Sequence, residues 1–120
     1  MIEVNEYVRT KDGKIDKVIN SNFYMSIYVE CEKGLYLIEN IVKHSKQLID
    51  LVEIGDIVNG HVVTNILDFK NSKKIEKMLY TEYVYSVLGK KNYIYATEVK
   101  TILTKESYMA NCYKVGGEDE

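Results

Sequence analysis

The sequence predicts a mainly β fold, of the β-rich α+β kind. The expected form is a strongly bent antiparallel sheet or small barrel of hairpins, with two short helices. Three observations carry this. Asn59-Gly60 stands between two β-branched runs, and both residue types tolerate the positive φ of a tight type I′ turn. Phe23, Met25, Ile27, Val29 and Cys31 alternate with polar or amphipathic neighbours at a period of two. Residues 80–87 and 93–103 are rich in Tyr, Val, Ile and Thr, with Gly89 between them.

The 120 residues make one domain, expected over 1–115, followed by a flexible acidic tail at 116–120. With 46% hydrophobic residues the chain can bury a core. Eighteen acidic and 16 basic residues leave a net charge of −2, which opposes general phosphate-backbone binding. Two distant cysteines, Cys31 and Cys112, read as reduced, buried small residues. No apolar run reaches membrane-spanning length, and the first residues lack a signal-peptide pattern. A cytoplasmic protein is therefore expected. The chain has no proline and no tryptophan but eleven tyrosines. Abundant Lys, Ile, Asn and Tyr also suit AT-rich coding, which accounts for some tyrosines without selection.

Taken in order, residues 6–10 form a first strand, with Asp12-Gly13 as its turn. Residues 14–19 return as a second strand with Ile15 inward, along with Val18 or Ile19. The alternating strand of 23–31 follows, turned by Glu32-Lys33-Gly34. Residues 35–38 and 41–43 continue as strand, broken near Glu39-Asn40. Ser45 is suited to cap a helical turn over 46–51, with Leu48 and Leu51 on its apolar side. The Asn59-Gly60 hairpin comes next, introduced by a turn at Gly55-Asp56.

Residues 68–74 read as a polar connection. Residues 75–88 satisfy two patterns: helical spacing with Ser72 as cap, and strand composition from Tyr80 onward. The expectation adopted is a short helical piece at 73–78, then a long hairpin of 80–87 with 93–103, turning at Gly89-Lys90-Lys91-Asn92. Thr104 caps a short helix to about Asn111, and residues 113–115 form a last strand.

The chemistry-bearing residues are sparse. His44 and His61 are the only histidines, and no Cys-x-x-Cys or His-x-x-x-His pair exists, so neither a metal nor another cofactor is expected. Carboxylates are scattered, glycines fall at turns, and no nucleophile signature is present, so no enzyme is expected. The enriched chemistry is Tyr80, Tyr83, Tyr85, Tyr93 and Tyr95. A hairpin through Gly89 would bring the pairs Tyr83/Tyr85 and Tyr93/Tyr95 together. Tyrosine brings large contact area and few rotors, which suits a partner surface. Cross-strand stacking that only supports the sheet is the competing reading. Lys70, Lys73, Lys74, Lys77, Lys90 and Lys91 form a local basic cluster. Lysines interleaved with aromatics can hold single-stranded nucleic acid or a nucleotide, against the plainer reading of solvated loop lysines.

Three blocks of the chain resemble small uncharacterised accessory proteins of phages and prophages of low-GC Gram-positive bacteria. They are the Glu6-Tyr7-Val8-Arg9-Thr10-Lys11-Asp12-Gly13 opening, the centre from His44 to Gly60, and Val99-Lys100-Thr101-Ile102-Leu103-Thr104-Lys105-Glu106. Together they make 33 of the 120 residues. The resemblance supplies context and no catalytic residue. It implies a bacterial-host cytoplasm and binding to a host component, antiviral defence such as a CRISPR effector included. The leading expectation is thus a non-enzymatic, phage-encoded protein-binding inhibitor that uses Tyr80, Tyr83, Tyr85, Tyr93, Tyr95, Lys90 and Lys91, its oligomeric state open and a homodimer among the options. A small-ligand or nucleotide sponge is the alternative. A structural part of a phage particle is a third.

Overall fold

The computed structural model describes residues 1–21, 27–71, 74–86 and 89–116, with side chains described outside 70–75 and 83–91. Ten strands lie in two antiparallel sheets of five among these residues. β1 (Tyr7–Thr10) and β2 (Ile15–Asn20) are the predicted first hairpin. Gly13 takes φ +87° at its turn. The Thr10 hydroxyl accepts from the Lys14 N–H at 2.9 Å and so braces that turn. β3 (Tyr28–Cys31), β4 (Leu35–Leu37) and β5 (Ile41–Ser45) complete a sheet in the order β4-β3-β2-β1-β5. β6 (Ile57–Val58), β7 (His61–Asn71), β8 (Lys74–Ser86), β9 (Gly89–Tyr95) and β10 (Ile102–Leu103) form the second, in the order β10-β6-β7-β8-β9.

The mainly β expectation holds in its broad form, but the sheets do not close into a barrel. Each keeps its own open edges and its own core. Val8, Val18, Val29 and Cys31 fill the first. Ile49, Val52, Val58, Val63, Leu79 and Ile94 fill the second. Two small cores side by side make a flat molecule of 52 × 51 × 20 Å. Its radius of gyration is 16.4 Å, above the roughly 14 Å of a compact chain this long.

The central hairpin forms as expected. Asn59 (φ +53°) and Gly60 (φ +85°) supply the two left-handed residues between β6 and β7. The Asn59 side chain also ties down a distant segment. Its amide donates to the Glu98 carbonyl at 2.8 Å, and its oxygen accepts from the N–H groups of Lys100 (2.8 Å) and Thr101 (3.1 Å).

Several expectations need correction. One α-helix, α1 (Lys105–Asn111), is present among the described residues rather than two, capped by Thr104 as predicted. The other is a 3-10 turn, Leu48–Leu51, whose buried residues are Ile49 and Leu51 rather than Leu48 and Leu51. Ser45 serves just ahead of it, accepting from Gln47 N–H at 3.1 Å and donating to Asp50 at 2.6 Å. Residues 68–71 and 74–78 are strand, neither connection nor helix, because each completes the β7–β8 ladder from Asp68↔Lys77 to Asn71↔Lys74.

The β8–β9 hairpin turns earlier than predicted. Ser86 already opposes Gly89, so Gly89, Lys90 and Lys91 belong to β9. β9 ends at Tyr95, and residues 102–103 pair with β6 instead. Residues 113–115 add no strand. On β2 the inward residues are Val18 and Asp16, while Ile19 is exposed. Burial of Asp16 is compensated by three donors: the N–H groups of Lys17 and Lys33 and the Tyr36 hydroxyl. The period-two face of β3 holds at Val29 and Cys31 but fails at exposed Ile27. Phe23 and Met25, and the tail beyond Gly116, lie outside the described residues.

Candidate functional site

An antiparallel sheet with one face on a core normally turns polar residues to the other face. Sheet two departs from this. Ile66, Leu79 and Ile94 lie in one cross-strand row of the ladder and face the core. The rows on either side face away from it. One is Leu67–Met78–Tyr95, and the next is Asn65–Tyr80–Tyr93. Phe69 follows on the same side of β7. The outer face of three adjacent strands thus carries six apolar or aromatic side chains. Leu67 is 40% exposed and Tyr95 38%, with Phe69, Met78, Tyr80 and Tyr93 partly exposed. Tyr95 contacts both aromatic neighbours, Tyr93 edge-on at 5.3 Å between centroids and Phe69 tilted at 5.9 Å.

This placement tests the tyrosine grouping read from the sequence. Tyr80, Tyr93 and Tyr95 come together. The partners of Tyr93 and Tyr95 are Tyr80 and Met78, not Tyr83 and Tyr85, because the hairpin turns before Gly89, earlier than expected, and a register shift falls between Tyr80 and Val84. The side chains of Tyr83, Tyr85, Lys90 and Lys91 lie outside the described residues. By backbone register Lys90 opposes Tyr85 and Lys91 opposes Val84. Tyr85 is eight positions along β8 from Lys77, or about 27 Å at ~3.4 Å per residue. By backbone position Lys70, Lys74 and Lys77 therefore lie toward one end of β8, and Lys90 and Lys91 lie beside its other end; Lys73 is outside the described residues.

At the foot of the aromatic face lies an open cleft of about 760 Å3. Tyr7 of the first sheet, Leu48 and Ile49 of the 3-10 turn, Phe69 and Tyr95 of the second sheet and Val99 after it line this cleft. Lys46 and Lys77 line it too. Both are held by exposed carboxylates, Lys46 by Glu3 at 3.6 Å and Lys77 by Asp68 at 3.4 Å. The sequence reading did not connect Tyr7, Lys46 or Leu48 with Tyr95. They are about fifty to ninety positions apart, and no local pattern records a long-range approach.

The strongest charge interactions lie away from the cleft, where the two sheets join. Arg9 of β1 is fully buried. Its guanidinium donates to both oxygens of fully buried Asp56 at 2.5 and 3.0 Å, to the Leu51 carbonyl at 2.9 Å and to Glu106 at 2.7 Å. Burial would push the Asp56 carboxyl up. The bonds from Arg9, then those from the N–H groups of Glu53 and Lys105, outweigh it and hold the group below its ordinary value. Glu53 is likewise held low despite burial, by its bond from Lys105 and by nearby Arg9 and Lys43. Each Asp56 oxygen accepts two bonds. Its acceptor capacity is spent on Arg9 and on two backbone N–H groups, which is the chemistry of a clasp. Sequence reading missed it too, since Arg9, Glu53, Asp56 and Glu106 show no motif spacing.

Among the described residues no group of three or more His, Cys, Asp or Glu side chains is placed to hold a metal ion. None of the helices described is long and apolar enough to cross a membrane. Comparison with protein-family models, with curated proteins and with solved structures gave no match.

Proposed function

We propose that this chain is a non-enzymatic binding protein that docks a protein partner on the outer face of its second sheet. The observation that carries the reading is the continuous apolar and aromatic surface of Leu67, Phe69, Met78, Tyr80, Tyr93 and Tyr95, on a face that a solitary sheet would make polar. Rigid tyrosines lose little entropy on docking and offer a hydroxyl to the partner, so they suit the centre of such an interface. The resemblance to phage and prophage accessory proteins makes a bacterial-host protein the favoured partner, an antiviral defence effector among the candidates. Inhibition would then follow from occlusion of the partner's own working surface.

The test is capture from a low-GC Gram-positive host lysate, with the wild-type chain beside a Leu67→Ser/Tyr93→Ser/Tyr95→Ser variant. Circular dichroism must first show both to be folded. A partner retained by the wild type and lost from the variant supports the reading. A partner retained equally by both refutes the assignment of this face.

A further inference from the structure

We propose that the cleft between the sheets is a separate ligand site, for a planar aromatic ring that carries a negative charge. The class is the nucleoside phosphates, taken either as free nucleotides or as the end of a single strand. The reading does not depend on the protein-docking face, although Phe69 and Tyr95 border both.

Four features combine. The volume of about 760 Å3 falls within the ~300–1,000 Å3 typical of small-molecule sites. Tyr7, Phe69 and Tyr95 are among its lining residues, and Phe69 and Tyr95 pack 5.9 Å apart, so aromatic surface is available to a flat ring. Lys46 and Lys77 are lining residues as well, and Lys17 lies 5.8 Å over the ring of Tyr7. Finally, the present partners of these ammonium groups are easily exchanged. The side chains of Glu3 and Asp68 are each 61% exposed, and exposed pairs at 3.4–3.6 Å contribute little. A phosphate offers Lys46 or Lys77 more charge and three acceptor oxygens. Glu76, a carboxylate of the wall, is already engaged and is not the group an anion would have to displace. Gln47 and Thr97 leave polar side chains for the edge of the ring.

Titration calorimetry with AMP and UMP, on the whole chain, gives the first readout. Saturable binding with a Kd below about 1 mM is expected, weakening as salt is raised. A Lys46→Ala/Lys77→Ala variant should raise that Kd at least about tenfold, whereas Lys14→Ala, outside the cleft, should not change it. A 5′-phosphorylated oligothymidylate separates the two sources. Binding at least about tenfold tighter than TMP assigns the site to strand ends, and equal binding assigns it to free nucleotides. Backbone amide shifts on AMP addition should concentrate at residues 7, 46–49 and 95–99, a readout that needs no variant to fold. The proposal is overturned if none of these probes saturates by about 5 mM. It is equally overturned if the shifts map elsewhere, or if the double lysine variant binds as the wild type does.

Discussion

Arg9 and Asp56, 47 positions apart in sequence, meet as a two-pronged ion pair with both side chains out of water. The pair sits between two cores that share no buried apolar residue. Removing one member of a buried pair strands the other charge, at a cost of about 3–5 kcal/mol. That is a large share of the ~5–15 kcal/mol that stabilises an ordinary domain. Asp56→Ala and Arg9→Met should each lower the free energy of unfolding by that order, read as a lower urea midpoint. An Arg9→Met/Asp56→Leu double variant should not recover, because the N–H groups of Glu53 and Lys105 would lose their acceptor. Urea denaturation of the three proteins decides this, and full recovery in the double variant would contradict it.

The direction of pH dependence follows from the same groups. Asp56 and Glu53 lie below their ordinary values of 3.8 and 4.5 in the folded chain. Their contribution is complete above those values and is lost as pH falls through the lower, folded ones. Arg9 is shifted upward and stays charged throughout. At the alkaline end, burial and then neighbouring carboxylates push the Cys31 thiol up to about 11 from 9.0. Burial and then its bond to Asp16 push the Tyr36 hydroxyl up to about 12 from 10.0. Both contributions are complete below pH 9 and fall away from there to about pH 12. Melting temperature across the pH range should therefore fall at both ends. Cys31→Ser or Tyr36→Phe should flatten the alkaline side only.

Gly13 and Gly60 share a left-handed backbone, at φ +87° and +85°, but not their surroundings. A methyl group at Gly13 would collide with Thr104 Oγ1 and with Cβ of Glu106, whereas at Gly60 it meets nothing within 4 Å. Gly60→Ala should cost only the backbone term, about 1–2 kcal/mol. Gly13→Ala should cost at least ~3 kcal/mol, since it adds overpacking against the last helix. Equal losses in thermal melts would show that the hairpin and helix are not packed this tightly.

Asn59 combines a turn conformation with three side-chain hydrogen bonds. Asn59→Gly keeps the first and loses the second, and Asn59→Ala loses both. Destabilisations of about 1–2 and about 3 kcal/mol are expected, in that order, by chemical denaturation. No loss of stability in Asn59→Gly would mean that the contacts to 98–101 contribute nothing.

What the sequence made legible is local. Asp12-Gly13, Asn59-Gly60 and the Thr104 cap are each decided by the residues at the position itself. Strand against helix at 74–78 is not, since Ile75 and Met78 fit a helical face equally well until β7 provides a ladder to join. The aromatic face was half legible. Tyr93 and Tyr95 alternate with Ile94, but their partners depend on where the hairpin turns, and one residue of register reassigns them all. The cleft and the clasp depend wholly on distant approach. Arg9 reads as one polar residue in a short strand, and only Asp56, Leu51 and Glu106 closing round it reveal its work.

Thr104 and Ser107, at the start of α1, both donate to the carbonyl of Gly13, at 2.6 and 3.3 Å. The first turn of the chain is therefore sealed by a helix that the ribosome delivers some ninety residues later. Until that helix emerges, the opening hairpin has its partner strands but not its lid, and Arg9 lacks Glu106. Assembly of the joint between the halves must wait for synthesis to pass residue 107. A nascent chain stalled short of that point should be markedly more open to protease than the released one.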